Sequence, residues 1–338
     1  TFGSLNGNAT WAEGIYEMQY AKRGGVWKIS RLDYFPGFGA AYASGWVAPL
    51  APAAEAAPTP LSTRRTLAHP ADRDREAVCP GFPAACIAPF HYPNPGTVAG
   101  GHAWNVDSLP VSAEKGSAAQ RASKLAQRVA RLQDEQQLEN LQRVYGYYID
   151  RGQWDQAADL FAREGTIELD QRGMYVGRDR VRQFLHALAP AGPQPGLLND
   201  RLQLQIVVSV SADGTRARVR SREFAMTGQF GQTGRWSDAI HENAFVKEDG
   251  IWKFASLHVY PTFITDQAQG WGKDAQPAPG VDPSLPPDRP PTEQYAIYPR
   301  AHVPPFHYRN PVTGKPVTYP SPERGGPSLV VARAALFD

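Results

Sequence analysis

One segment of this 338-residue chain is written twice. Trp11–Trp46 (WAEGIYEMQYAKRGGVWKISRLDYFPGFGAAYASGW) aligns without a gap on Trp236–Trp271 (WSDAIHENAFVKEDGIWKFASLHVYPTFITDQAQGW) at a constant offset of 225, and 13 of the 36 positions are identical. Whatever backbone one copy adopts, the other is expected to adopt as well. Each copy reads as a β-hairpin, two β-rich runs joined by a glycine-bearing turn: Arg23-Gly-Gly25 in the first, Lys247-Glu-Asp-Gly250 in the second. The second copy closes a longer ordered stretch that starts near residue 136. At the same offset, a full first unit would start about ninety residues ahead of Thr1. Residues 1–46 are therefore expected to be the closing half of a unit, and the chain to be a fragment, a processed product or part of something longer. An isolated hairpin of this kind leaves an apolar face and an open edge. Another chain, the helix expected at 112–135, or the proline-rich arm is expected to cover it.

Residues 47–111 and 272–338 differ in character from the repeat. Pro, Ala and Gly dominate 47–111, no period of 2 or 3.6 holds there, and both segments read as extended Pro-rich arms. They share a second repeat: Pro89-Phe-His-Tyr-Pro-Asn-Pro95 recurs as Pro305-Phe-His-Tyr-Arg-Asn-Pro311. A solvated linker has no need to repeat Phe-His-Tyr, so the motif reads as a docking element. His91 and His307 have no partners at ligand spacing, which favours docking over metal binding. The two cysteines, Cys79 and Cys86, can close a small disulfide loop or remain thiols. A pair this close in an irregular segment mildly favours an oxidising compartment, periplasmic or secreted.

The charge balance, 35 basic against 33 acidic residues, gives no electrostatic reason to expect nucleic acid or an anionic membrane as partner. No apolar run approaches the roughly 18 residues of a membrane span. No Walker loop, GxSxG, HExxH or GxGxxG within a βαβ unit is present, so no metal or nucleotide cofactor is expected.

From 112 to 150 the apolar residues fall at helical spacing: Leu125, Val129 and Leu132, then Leu138, Leu141, Val144 and Tyr148. The first half reads as a free-standing or coiled helix and the second as core-facing. Further along come a helix over 155–161, a strand over 166–169, a helix over 178–188 ended by Pro190, strands over 202–209 and 216–227, and the repeated hairpin. The order α–α–β–α–β–β–β–β predicts an α+β domain, a helical layer over one face of a mostly antiparallel sheet.

This order, with Tyr145-Gly-Tyr-Tyr-Ile-Asp150-Arg-Gly152, Trp154, Leu160-Phe161 and the Gly250-Ile-Trp-Lys253 hairpin, resembles the SnoaL-like branch of the NTF2-like superfamily. The resemblance covers about 136–271 fully and 1–46 as a closing half. It implies a cone-shaped α+β barrel, a curved sheet with helices on its concave side, whose mouth holds a small, mostly apolar ligand. Scytalone dehydratase, ketosteroid isomerase and polyketide cyclases share this fold, so it does not fix a reaction. The domain plan expected is 1–46, a half-domain; 47–111, an arm; 112–271, a long helix with the complete domain; and 272–338, a second arm.

In such a cone the first helix and the concave sheet face line the pocket. That implies a candidate set of Tyr145, Tyr148, Asp150, Trp154, Asn199, Asp200, Arg222, Glu223, His241, Glu242, His258 and Tyr260. Proton transfer beside a carbonyl or hydroxyl, in a dry site that shifts pKa values, is the chemistry these side chains suit. His258 is the first choice of base, on a face shared with Ser256 and Tyr260. Asp150, Tyr148, Asn199 and His241 complete the catalytic candidates. Tyr145, Trp154, Arg222, Glu242 and Tyr260 are the ligand-binding ones. Each has a plainer reading: a hydrogen-bonded sheet histidine for His258, a helix-exit turn for Asp150 and Gly152, core tyrosines at 145 and 148. Only one of the neighbours His241 and Glu242 can face the pocket. The catalytic tyrosine of the dehydratase is Ile149 here, and its second-strand histidine falls within Leu198-Asn199-Asp200, which weighs against dehydration of that kind. Two functions follow. One is a cofactor-independent lyase, dehydratase or isomerase acting on a small aromatic or polyketide-like molecule. The other is a non-catalytic ligand-binding or assembly module that forms homo-oligomers through its sheet and arms.

Overall fold

The computed structural model describes residues 2–5, 8–43, 115–320 and 329–331. These fall in two compact units, divided after Ser112. The expectations for Trp46, the 47–111 arm, Cys79, Cys86 and the 89–95 motif lie outside the described residues.

The first unit is an antiparallel sheet of three strands, Phe2–Leu5 (β1), Asn8–Arg23 (β2) and Val26–Ala41 (β3). Gly24 and Gly25 turn the β2–β3 hairpin at φ +58° and +81°, a conformation that side-chain-bearing residues rarely adopt. Within the described residues Tyr16, Tyr20, Trp27, Ile29 and Leu32 are all more than half exposed.

The second unit starts with one long helix, Ala118–Asp150 (α1), which Ser117 opens by a capping box with Gln120. Its two halves behave as their sequence predicts. Leu125, Val129 and Leu132 are exposed, whereas Leu138, Tyr145 and Ile149 enter the core. Gly152, at φ +61°, ends it in the left-handed conformation typical of a residue past a helix end. A short helix, Trp154–Asp159 (α2), follows, its Trp154 indole N–H donating to the Ala189 carbonyl at 2.8 Å.

Strand Phe161–Leu169 (β4) begins where helix was expected to continue. Phe161 pairs in parallel with Phe254, and the backbone N–H of Phe254 donates to Leu160, so strand pairing overrides the helical spacing. Met174–Val176 (β5) is a strand absent from the sequence reading. Helix Arg178–Leu188 (α3) and four long strands complete the domain: Leu197–Val210 (β6), Arg216–Gln229 (β7), Thr233–Glu248 (β8) and Ile251–Asp266 (β9). The sheet order is β5-β4-β9-β8-β7-β6, antiparallel except for β4 with β9. Tyr145, Ile149, Phe161, Phe245, Phe254 and Leu257 belong to one core between the helices and the sheet. Burying aromatic and branched side chains at about 25 cal/mol per Å² is what holds the two layers together. Trp252 and Lys247 both reach the Asp134 carboxylate, the indole at 2.8 Å and the ammonium at 2.6 Å, fixing α1 to the last hairpin.

The C-terminal segment lies on the other face of the sheet. Thr292 donates twice to Glu168, Tyr298 N–H donates to Thr262, and Phe306 sits under the Arg220 guanidinium at 4.1 Å. His307 Nδ1 lies 2.8 Å from Glu242, so the Phe-His-Tyr motif of this tail is a docking element. A further pair, Thr318–Pro320 (β10) with Leu329–Val331 (β11), follows.

Candidate active site

The domain contains a cavity of about 460 Å³ between α1 and the sheet. Tyr145, Ile149 and Asp150 reach it from α1, Trp154 from α2, Asn199 and Arg201 from β6, and Glu223 from β7. Asp170 and Arg172 reach it from the turn after β4. Asn199, Arg201 and Gln203 alternate along β6, so their side chains share its inner face.

At the inner end the polar groups form a chain. Arg201 Nη1 donates to Glu223 Oε1 at 2.7 Å, and Gln203 Nε2 donates to Glu223 Oε2 at 3.1 Å. Gln142, fully buried on α1, donates to Gln203 Oε1 at 2.9 Å and accepts from Asn243 at 2.8 Å. His241 stands against this chain, its Nε2 3.4 Å from Glu223 Oε2 but not aligned for a hydrogen bond. Burial opposes ionisation of Glu223, yet the Arg201 guanidinium and the His241 imidazole outweigh it and hold the carboxyl down to about 2. Burial, with the Glu223 charge adding to it, lifts the Tyr145 hydroxyl above the ordinary phenol range, so it faces the cavity as a neutral donor.

Two other carboxyls in the wall are different. Burial raises Asp150, against the opposing pull of the Arg201 backbone N–H, which it accepts at 2.6 Å. Burial also raises Asp170; Arg201 pulls the other way and Glu223 pushes further. Neither makes an ion pair within 4 Å among the described residues. Each is therefore a carboxyl whose protonated and ionised forms are brought closer in energy, the requirement for shuttling a proton near neutrality.

Of the residues expected in the site, Tyr145, Asp150, Trp154, Asn199 and Glu223 line the cavity. Asn199 spends its amide on structure, donating to the Ile149 carbonyl at 2.8 Å. His241 is wholly buried behind Glu223, and Tyr148 packs against the core. His258, Tyr260, Arg222 and Glu242 are corrected: none of them lines the cavity. His258 and Tyr260 lie on the face of β9 opposite the core residues Leu257 and Val259, stacked on each other at 3.8 Å. The tail's Tyr295 and His302 extend that stack. Burial lowers His258 to about 4, and its Nε2 lies 3.5 Å from Glu168. Glu242 is bound between Arg220 and His307, and Arg222 holds Asp238 with bonds of 2.6 and 2.8 Å. Asp170, Arg172 and Arg201 were not among the expected residues. Period-2 alternation from Asn199 would have reached Arg201, and the turn-like Asp170-Gln-Arg-Gly173 was a legible loop at a strand end.

Residues 130–258 match the family model described as the SnoaL-like domain. This part of the chain is a SnoaL-like domain. The domain has an α+β architecture, a mostly antiparallel sheet with helices packed on one face. Among solved structures, the chain is similar to an NTF2-like protein with a cystatin-like fold from Novosphingobium aromaticivorans, at 16% identity over 40% of this chain and 87% of the other, TM-score 0.34. It is also similar to LinA, at 13% identity over 41% and 93%, TM-score 0.37. A third is ActVI-ORFA from Streptomyces coelicolor, at 13% identity over 37% and 95%, TM-score 0.33. No curated protein matches the chain in sequence. Among the described residues, no helix is long and apolar enough to cross a membrane, and no group of three His, Cys, Asp or Glu side chains is arranged to hold a metal ion.

Proposed function

We propose that the SnoaL-like domain is a cofactor-independent lyase or isomerase, moving a proton on a small, largely apolar molecule held in the cavity. The observation that supports this is the pair Asp150 and Asp170, two carboxyls raised by burial and without ion pairs, in the wall of one cavity. Asp150 acts as base and Asp170, in its protonated form, as the donor to the opposite end of the reacting system. The Tyr145 hydroxyl, kept neutral by its surroundings, is placed to hydrogen-bond a developing enolate oxygen. Ile149, Trp154, Leu169 and Leu188 supply the apolar wall that keeps water away from the transfer. His258 is not assigned a role, because it lies on the other side of the sheet.

The test is hydrogen–deuterium exchange at the carbon beside the carbonyl of 2-tetralone, followed by NMR in D₂O. The wild-type chain is expected to exchange it faster than buffer, Asp150→Asn to lose at least about 100-fold of the excess, and His258→Gln to keep it. Exchange at the buffer rate, or an excess that survives in both Asp150→Asn and Asp170→Asn, sinks the acid–base reading.

A further inference from the structure

Four arginines, Arg151, Arg172, Arg201 and Arg235, line the cavity together with four carboxyls, Asp150, Asp170, Glu223 and Asp238, but not all of them are paired. Arg151 has Asp200 at 3.7 Å, Arg201 has Glu223, and Asp238 has Arg222. Arg172 and Arg235 also line the cavity, and neither guanidinium makes a hydrogen bond or an ion pair within 4 Å among the described residues. The Nε–H of Arg172 is buried as well as unsatisfied. A guanidinium stays charged at any physiological pH. Asp170 and Asp282 lie near enough to act on the Arg172 charge, but neither accepts a hydrogen bond from it, and a buried N–H without an acceptor is unfavourable unless a ligand supplies one.

The backbone that carries Arg172 is a second, independent sign. Asp170 and Gln171 both sit at positive φ, 54° and 59°, in the turn closed by Arg172 N–H donating to the Leu169 carbonyl. Gln171 in particular gains nothing intrinsic from the left-handed region, which is unfavourable for a residue with a side chain. The turn is held from outside. Gln171 Nε2 donates to the Tyr295 carbonyl at 3.0 Å, and Tyr295 N–H donates back to Gln171 Oε1 at 3.1 Å. Gly173, at φ +99°, completes it, since a Cβ there would meet Pro287 at 2.5 Å. Strain maintained by surrounding contacts is the usual mark of a side chain placed for use.

We infer that the cavity takes a molecule with a carboxylate on an apolar body, and that Arg172 is the residue that holds the carboxylate, with Arg235 as a second cation in the wall. This rests on the reading of the cavity as a small-molecule site and narrows it to an anionic class. The planar guanidinium fork matches a carboxylate in two parallel hydrogen bonds, so the carboxylate fixes the orientation of the body between Asp150 and Asp170.

The full chain should be titrated calorimetrically with 2-naphthoate and, separately, with its neutral isostere 2-naphthamide. Naphthoate is expected to bind at least about tenfold more tightly, and Arg172→Gln to abolish that preference while leaving the amide unchanged. Arg235→Gln, at an exposed position where folding is not at stake, is expected to reduce the preference by a smaller factor. Equal affinity for the two probes, or a preference that survives in Arg172→Gln, overturns the anionic class while leaving a cavity that binds apolar molecules. Failure of both probes to bind overturns this inference and the small-molecule reading together.

Discussion

The hairpins β2–β3 and β8–β9 have the same backbone pairing and opposite surroundings. Tyr16 faces Tyr34 as His241 faces Val259, and Lys22 faces Trp27 as Lys247 faces Trp252, all at the offset of 225. Both irregularities recur at equivalent places: Glu13/Gly14 with Asp238/Ala239, and Gln19/Tyr20 with Ala244/Phe245. Even the lysine over the tryptophan ring recurs, at 5.7 and 4.9 Å. Yet Trp27 is 53% exposed where Trp252 is 3%, and Leu32 is 51% exposed where Leu257 is fully buried. Turn residues and cross-strand pairs set the register locally, whereas the burial of the second copy comes from the helical layer packed on it. The identical register shows that the repeated sequence forms the same hairpin in both units.

Truncating the shared tryptophan should break the likeness most sharply. Trp252→Ala is expected to destabilise the second unit by about 3–5 kcal/mol, because it opens a cavity and removes a donor from Asp134. Trp27→Ala is expected to change stability by less than about 0.5 kcal/mol. Denaturant unfolding of the full chain, with the two variants side by side, measures both. A large loss from Trp27→Ala would show that the first hairpin is buried in solution against a partner.

The position of Asp33 and His258 gives the next effect. Asp33 is partly exposed and bonded to Arg31 at 2.6 Å, while His258 is buried and lowered to about 4. A folded-state value below the ordinary 6.5 means that the folded state resists protonation. The stability His258 contributes is therefore complete above pH 6.5 and is lost as pH falls through about 4. Stability is expected to drop by up to about 3 kcal/mol across that window, and His258→Gln to flatten the drop. An unchanged pH profile in His258→Gln would place the sensitivity elsewhere.

The smallest effect sharpens the contrast from the cavity side, which the hairpin lacks. Asp170 is raised by burial, so its carboxylate disfavours the folded state as pH rises past the ordinary carboxylate range. Asp170→Asn is expected to stabilise the domain at pH 7 by about 1 kcal/mol, with the gain fading toward pH 4. Thermal melts at both pH values would show it, and a loss of stability at pH 7 would make Asp170 structural.

The sheet was legible because its signals are local: glycine turns, period-2 runs, and a repeat that carries its bulges with it. The helix Ala118–Asp150 was legible for the same reason. Only part of the site was. Tyr145, Asp150, Trp154 and Asn199 followed from helix phase and family pattern. His258 did not, because both faces of β9 are buried, one by the core and one by the tail. Alternation separates two faces without saying which one is concave. Asp170 and Arg172 were missed because their direction depends on a left-handed turn clamped by Tyr295, 124 positions beyond the Gln171 it binds.

That clamp bears on where the working domain ends. The family match stops at residue 258, but Pro261 and Ile264 line the cavity and the Tyr295 backbone holds the turn that carries two of its charges. A chain trimmed to the match would fold around an unfinished pocket, with one side missing and its acid and its cation released together. The stretch recognised by sequence and the stretch that completes the cavity have different borders in this molecule, and the second lies well inside what reads as a tail.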